Sequence, residues 1–324
     1  MSAALANLDQ CIAAELAAVD EIFARELASD LACVNVLVRH VGRFRGKMLR
    51  PSLLLLSAKA CGPITRDHHV LATVVEMVHM ATLVHDDVLD EAELRRKGAT
   101  INHLRGNEAA VLLGDYLISH SYHLCSSLAS QDASRIIAAT TNRVCEGELL
   151  QIDNRNNFDL DEETYLQIIE RKTGALCAAC CLLGAKFAGA DEATCRRLER
   201  FGLALGTAFQ IQDDLLDIFG DAAQVGKTLG IDINKGKMTL PMIHFLRTAP
   251  REHRHLLRSL LEGREADKID RIVSLIAPST SLAYARRRAL EIANAARADL
   301  AEVPASPARQ ALELMAEFAV TRPV

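Results

Sequence analysis

The chain has 324 residues, half of them hydrophobic, and a formal net charge of −5. That length and apolar content suffice for a substantial core, while the absence of tryptophan, the 4% aromatic content and the lack of a long basic run argue against a nucleic-acid partner. Nine scattered cysteines, an odd number, fit a reducing compartment rather than a disulfide framework, so a cytoplasmic location is expected.

From the N-terminus, Asp9 interrupts the first apolar run and no basic segment precedes it, so a signal peptide is not expected. No apolar run is long enough to span a bilayer. Gly46-Lys47-Met48-Leu49-Arg50-Pro51 sets two cations three residues apart, just before a predicted helix. Cys61-Gly62-Pro63 marks a break. From Ile64 to Leu240 there is no proline, and the stretch is rich in Ala, Leu and Glu, which predicts long helices. Further breaks are expected at Asp153-Asn154-Arg155-Asn156-Asn157, at Gly220-Asp221 and at Pro241. Asp159 with Glu162 is read as the cap that opens the helix carrying Lys172. Cys177, Cys180 and Cys181 lack a second pair or a nearby His, so they are read as small core residues. Pro278, Pro304 and Pro307 punctuate a C-terminal set of shorter helices. Strand-like alternation is nearly absent and no Ser/Pro/Gly-rich linker appears. The expectation is an all-α fold in one domain over residues 1–324.

One signature occurs twice: Asp86-Asp87-Val88-Leu89-Asp90 and Asp213-Asp214-Leu215-Leu216-Asp217. With 21 Asp in the chain, chance supplies only about 0.09 such matches, so two copies call for a function. Ala81-Thr82-Leu83-Val84 precedes the first and Ala208-Phe209-Gln210-Ile211 the second, apolar surroundings in which charge is costly unless compensated. On a helix, positions i and i+4 share a face. Each motif is therefore expected to project a claw of carboxylates, and two facing claws would hold Mg²⁺ ions that in turn hold a diphosphate. Zinc would want His or Cys, and beside the first motif only His85 is available.

Cations accompany both motifs. Arg95 and Arg96 follow the first; Lys227 and Lys237 follow the second. Gly226-Lys227-Thr228 lacks the upstream glycine of a nucleotide-binding loop. His79 lies seven residues before Asp86, on the same helical face, and the small Ala81 and Thr82 would leave an open channel below the claw.

These residues resemble the trans-isoprenyl diphosphate synthases, and among them the bacterial long-chain, octaprenyl-type enzymes. The likeness runs from about residue 20 to the C-terminus. It is carried by Gly46-Lys47 with Arg50-Pro51, the run Glu76 to Asp90, and Arg95-Arg96 with Thr100 and Asn102. Gly114-Asp115-Tyr116, Glu146-Gly147-Glu148 with Gln151, Lys172-Thr173, Phe209 to Asp217 and Lys237 with Thr239-Leu240-Pro241 add to it. The resemblance implies a helical bundle around a deep central cavity, a homodimer, and Mg²⁺ as cofactor, about three ions once substrate is bound. It implies that Asp86, Asp87, Asp90, Asp213, Asp214 and Asp217 bind metal. Lys47, Arg50, His79 and Arg96 would bind isopentenyl diphosphate; Arg95, Lys172, Lys227 and Lys237 would hold an allylic diphosphate, farnesyl diphosphate being the expected primer. Thr173 and Gln210 would lie near the developing allylic cation, and Ala81 and Thr82 would set chain length.

The chain departs from the family pattern in places. Arg45 stands where Gly is usual, Met48 where Arg is usual, Lys97 is inserted before Gly98, and Ile231 replaces the first of two acidic residues before the second, Asp232. The implied activity is head-to-tail condensation giving a long all-trans polyprenyl diphosphate for quinone side chains, with peripheral membrane contact on product release. A geranylgeranyl or other shorter-chain synthase is the alternative. A class I terpene cyclase is disfavoured by the second Asp motif and by the Lys47–Arg50 pair, and a regulatory subunit of a heterodimeric synthase by the retention of both motifs.

Overall fold

Among the described residues, every regular element except one short hairpin is helical. The computed structural model describes residues 3–321 apart from Arg45, Lys47, Lys97, residues 221–228, Arg264 and Ala266, and for residues 3–10 the backbone alone. In chain order the elements are α1 (Ala3–Glu26), α2 (Ala32–Gly42), α3 (Leu49–Cys61), α4 (Arg66–Leu89), β1 (Leu94–Arg95), β2 (Gly98–Ala99), α5 (Ile101–Arg105) and α6 (Asn107–Ser126). Then come α7 (Gln131–Asp153), α8 (Glu162–Ile169), a π-helical turn (Glu170–Gly174), α9 (Ala175–Phe187), α10 (Glu192–Phe219) and α11 (Ile231–Asn234). The last are α12 (Leu240–Thr248), α13 (Arg251–Glu262), α14 (Lys268–Ile276), α15 (Ser281–Leu300) and α16 (Pro307–Thr321). The hairpin pairs Leu94 with Ala99 and Arg95 with Gly98.

The all-α expectation holds, and the proline-free stretch indeed carries the long helices. The expected breaks fall at the end of α3, after α7 and after α10. Pro241 sits in the first turn of α12, where its missing N–H costs no hydrogen bond. Two expectations change. The cap of α8 is Asp161, whose side chain accepts from Thr164 N at 2.7 Å, while Asp159, two residues earlier, pairs with Arg258 instead. Buried Leu160 turns the chain inward between them and brings Asp161 to the helix start. The C-terminal helices are also not all short, since α15 runs for 20 residues.

Internal packing divides the chain into two compact units. The first comprises Met1–Thr141, Leu176–Gly202 and Asp299–Leu314. In it α4 packs on α1, α3 and α6. Leu71 to Val78 of α4 and Leu53 to Leu56 of α3 are buried; each fully buried aliphatic side chain contributes about 1.5–3 kcal/mol. Thr65 N donates to His68 Nδ1 at 3.0 Å at the start of α4, and His68 Nε2 bonds the Gly184 carbonyl at 3.2 Å. A Cβ at Gly184 would collide with the Leu54 carbonyl, so glycine there lets α9 lie against α3. Cys177, Cys180 and Cys181 are buried and free, and burial pushes the Cys181 thiol up to about 12. They pack as core residues, as expected.

The second unit comprises Asn142–Ala175, Leu203–Ala298 and Met315–Val324. Its core joins Ile168 and Ile169 of α8, Ile211, Leu215 and Ile218 of α10, and the buried faces of α12, α13, α14 and α15. This core fixes α8, the π-helical turn and the second half of α10 as one framework.

Candidate active site

Each Asp motif ends a long helix. Asp86 and Asp87 lie in the last turn of α4 and Asp90 is its C-cap; Asp213, Asp214 and Asp217 lie in the last turns of α10. Neither last turn holds a basic residue. The carboxylates thus stand at the negative end of the helix dipole, where anions are unfavourable unless cations join them.

The three carboxylates of a motif do not project together. Asp86, Asp90 and Asp213 are half-buried, whereas Asp87, Asp214 and Asp217 are buried. Protein donors draw the buried three inward. Arg95 approaches Asp87 Oδ1 with Nε at 2.8 Å and Nη2 at 2.7 Å. Asp217 accepts from Asp232 N at 3.0 Å. Asp214 accepts from Tyr165 Oη at 2.6 Å and from Gln210 Nε2 at 2.8 Å, one bond to each carboxylate oxygen. Burial raises the Asp87 pKa, opposed by the Arg95 guanidinium. The two donors to Asp214 are neutral; burial first, then the charge of Asp232, pushes its pKa up to about 7, opposed by these hydrogen bonds.

His79, Arg50, Arg95 and Arg96 form the cationic group beside the first motif. Burial and then the three guanidiniums hold the His79 pKa well below its usual value, so its ring is neutral at physiological pH. Arg96 adopts a left-handed backbone, φ 49°, and donates Nη1 to the Phe44 carbonyl at 2.7 Å. A Cβ on Gly46 would come within 2.6 Å of Arg96 Nη2, so glycine there admits the guanidinium. Arg50 Nε is buried without a hydrogen-bond partner. Lys47 and Lys227, and the family departures at Arg45 and Lys97, lie outside the described residues. His85 faces α6: its ring bonds the Val111 carbonyl at 3.1 Å and packs on Gly114. Ala81 is fully buried, and half-buried Thr82 donates to the His79 carbonyl at 2.7 Å.

In the second unit a cleft, partly open to solvent, brings several expected residues together. Its polar lining includes Lys172, Gln210, Asp214, Asp232 and Lys237, and its apolar lining Leu160, Ile168, Ile169 and Met238. Lys172 pairs with Glu148, and Lys237 lies 3.5 Å from Asp232. Gln151 Nε2 and Thr239 Oγ1, also in this lining, are buried without hydrogen-bond partners. Lys172 and Thr173 occupy the π-helical turn, an irregularity frequent at functional sites. A Cβ on Gly147 would lie 2.6 Å from Lys172 N, so α7 can hold this turn closely only through glycine. Thr173 Oγ1 donates to Gln210 Oε1 at 2.8 Å. Sequence reading missed Tyr165 and the pairing role of Asp232. The signal for Tyr165 was its spacing: seven residues before Lys172, nearly two helical turns, on one face.

The donors suit Mg²⁺. Half-buried carboxylates are hard oxygen ligands with room for water and phosphate oxygens. Among the described residues no group of three or more His, Cys, Asp or Glu is arranged to hold an ion by itself. No described helix is long and apolar enough to cross a membrane.

The polyprenyl synthetase family model matches residues 32–277. Octaprenyl diphosphate synthase of Escherichia coli (strain K12) is 35% identical over 98% of this chain and 99% of its own length. Two crystal structures each match with TM-score 0.92 over 98% of both chains: a decaprenyl diphosphate synthase from Rhodobacter capsulatus, 34% identical, and a polyprenyl synthase from Caulobacter crescentus CB15 complexed with calcium and isoprenyl diphosphate, 36% identical. A family match over most of the chain, together with relatives of like length, makes this protein a member of the polyprenyl synthetase family, a prenyltransferase.

Proposed function

We propose that the chain condenses isopentenyl diphosphate head-to-tail onto an allylic diphosphate, farnesyl diphosphate being the expected primer, to give a long all-trans polyprenyl diphosphate of octaprenyl type for quinone side chains. The observation that carries this reading is the cleft of the second unit. Its lining combines two ammonium groups, two carboxylates and amides with apolar side chains, as a molecule with a diphosphate head and a prenyl tail requires. Similarity to proteins named octaprenyl and decaprenyl diphosphate synthases supports the long product.

Asp86, Asp90 and Asp213 would hold Mg²⁺ directly, and Asp87, Asp214 and Asp217 would brace them. When bound, the metal supplies Lewis-acid neutralisation of the leaving diphosphate. Lys172 and Lys237, with Arg95 and Lys227, bind the same diphosphate; Lys172 then exchanges Glu148 for a phosphate oxygen. Lys47, Arg50, Arg96 and neutral His79 bind isopentenyl diphosphate and hold its double bond near the allylic carbon, which lowers the entropic part of the barrier. Thr173 and Gln210 offer fixed dipoles to the allylic cation. The apolar lining keeps water from trapping that cation. Ala81 and Thr82 set the length at roughly seven to ten isoprene units. We further propose that the whole chain acts as one catalytic domain, works as a homodimer in the cytoplasm, and hands its apolar product to a membrane surface.

The test is incubation of the purified chain with isopentenyl diphosphate, farnesyl diphosphate and Mg²⁺, followed by mass spectrometry. Ladders ending near the octaprenyl product are expected. A product no longer than geranylgeranyl diphosphate overturns the long-chain reading, cyclic hydrocarbon overturns the condensation, and turnover only with a second polypeptide overturns the homodimer.

A further inference from the structure

We propose that Tyr165 is a positioning residue: acting through Asp214 and Gln210, it fixes the Thr173 hydroxyl so that this group meets a bound molecule only as a hydrogen-bond acceptor. The inference rests on the condensation proposed above and deepens it.

The four side chains form one unbroken chain over α8, the π-helical turn and α10: Tyr165 Oη to Asp214 Oδ2 at 2.6 Å, Gln210 Nε2 to Asp214 Oδ1 at 2.8 Å, and Thr173 Oγ1 to Gln210 Oε1 at 2.8 Å. The chain has one polarity. Tyr165 Oη and Gln210 Nε2 each donate to one oxygen of Asp214, so the atom of Gln210 facing Asp214 is its amide nitrogen. Its carbonyl oxygen therefore faces Thr173, and the Thr173 hydroxyl must donate. A hydroxyl has a single proton. With that proton on Gln210, Thr173 offers any further partner only lone pairs. Such a group favours positive charge and repels phosphate oxygens, so it distinguishes the end of the substrate where a cation grows from the end that carries the diphosphate.

Tyr165 keeps this polarity. It is 2% exposed, and its hydroxyl occupies the Asp214 oxygen that Gln210 leaves free. Without it, a buried carboxylate oxygen lacks a partner, and the carboxylate can turn and engage the Gln210 amide differently. The order of the links makes the effect specific. Tyr165 donates a hydrogen bond to Asp214, so its influence on the Thr173 hydroxyl passes through the carboxylate and then the amide.

The experiment compares Tyr165→Phe, Thr173→Val, Thr173→Ser and the double variant Tyr165→Phe/Thr173→Val. In steady-state condensation, Tyr165→Phe should lower kcat roughly tenfold and leave KM for both diphosphates within about twofold. Thr173→Val should lower kcat at least as much, Thr173→Ser should retain most of it, and the double variant should be no slower than Thr173→Val alone. Losses that multiply in the double variant, or a Tyr165→Phe enzyme with full kcat, overturn the inference. A second readout needs no turnover. With ¹⁵N-labelled glutamine side chains, the Gln210 amide protons, assigned by their loss in Gln210→Ala, should resist exchange in the wild type and exchange faster in Tyr165→Phe. Equal exchange in the two overturns the inference. A wild-type chain that does not condense isoprenyl units overturns the function proposed above, and the exchange measurement still decides the polarity of the chain.

Discussion

The second aspartate of each motif is buried, but Asp87 meets a guanidinium and Asp214 meets a phenol and an amide. Asp87 has its counter-charge beside it; Asp214 is held by neutral donors. The same five-residue spelling at two helix ends thus yields two electrostatic states. Burial raises both carboxyls, but Arg95 opposes the rise at Asp87, while Asp214 rises to about 7. The difference teaches that the geometry of Asp214 is set by directional hydrogen bonds from neutral donors, and that of Asp87 by a guanidinium.

The largest expected effect falls on the half-buried carboxylates. Asp86→Ala and Asp213→Ala should each cost several kcal/mol of transition-state stabilisation, on the order of a thousandfold in kcat. Near-normal turnover in either variant would break the claim that both motifs serve the reaction. Next comes Arg95→Gln, which leaves Asp87 buried without its cation. A loss of about 3 kcal/mol in urea unfolding is expected, against about 1–2 kcal/mol for Tyr165→Phe, which removes a neutral donor. Equal losses would erase the contrast between the motifs.

A third effect concerns pH. In the metal-free protein, folded Asp214 keeps its proton up to about 7, while the unfolded chain loses it near 3.8. The folded state binds more protons in that interval, so stability falls as pH rises from about 4 to about 7 and levels off above. Melting temperatures in a chelator should follow this slope, and Asp214→Asn should lose that contribution. A slope of opposite sign in the wild type, or an unchanged one in the variant, would show that Asp214 is not the titrating group. A fourth effect is Gly147→Ala, where the new methyl presses on the Lys172 backbone. Overpacking should cost about 1–3 kcal/mol, with a fall in kcat and little change in the first unit's hydrogen exchange.

Much of this was legible in the residues. Absence of proline between Ile64 and Leu240 foretold the long helices, because a helix interior rejects proline so strongly. The duplicated motif pointed to diphosphate chemistry because so many clustered carboxylates ask for cations. Which carboxylates turn inward was not legible, since that depends on partners distant in sequence: Tyr165 is 49 residues from Asp214. The cap of α8 was misplaced because Asp159 with Glu162 fits the capping-box spacing, whereas Asp161 caps through the Thr164 N–H alone and Asp159 pairs with Arg258, 99 residues away. The π-helical turn at Glu170–Gly174 leaves no mark in hydrophobic spacing. Its one trace is Gly147, and a glycine inside a helix equally serves ordinary close packing between helices, as Gly184 does against α3.

The most direct test is calorimetric titration of inorganic diphosphate into the wild type, Asp86→Ala and Asp213→Ala, each with and without Mg²⁺. The wild type should bind tightly only with the metal present, and each variant should lose most of that gain. Equal binding with and without Mg²⁺, or a gain that survives both substitutions, would contradict the account.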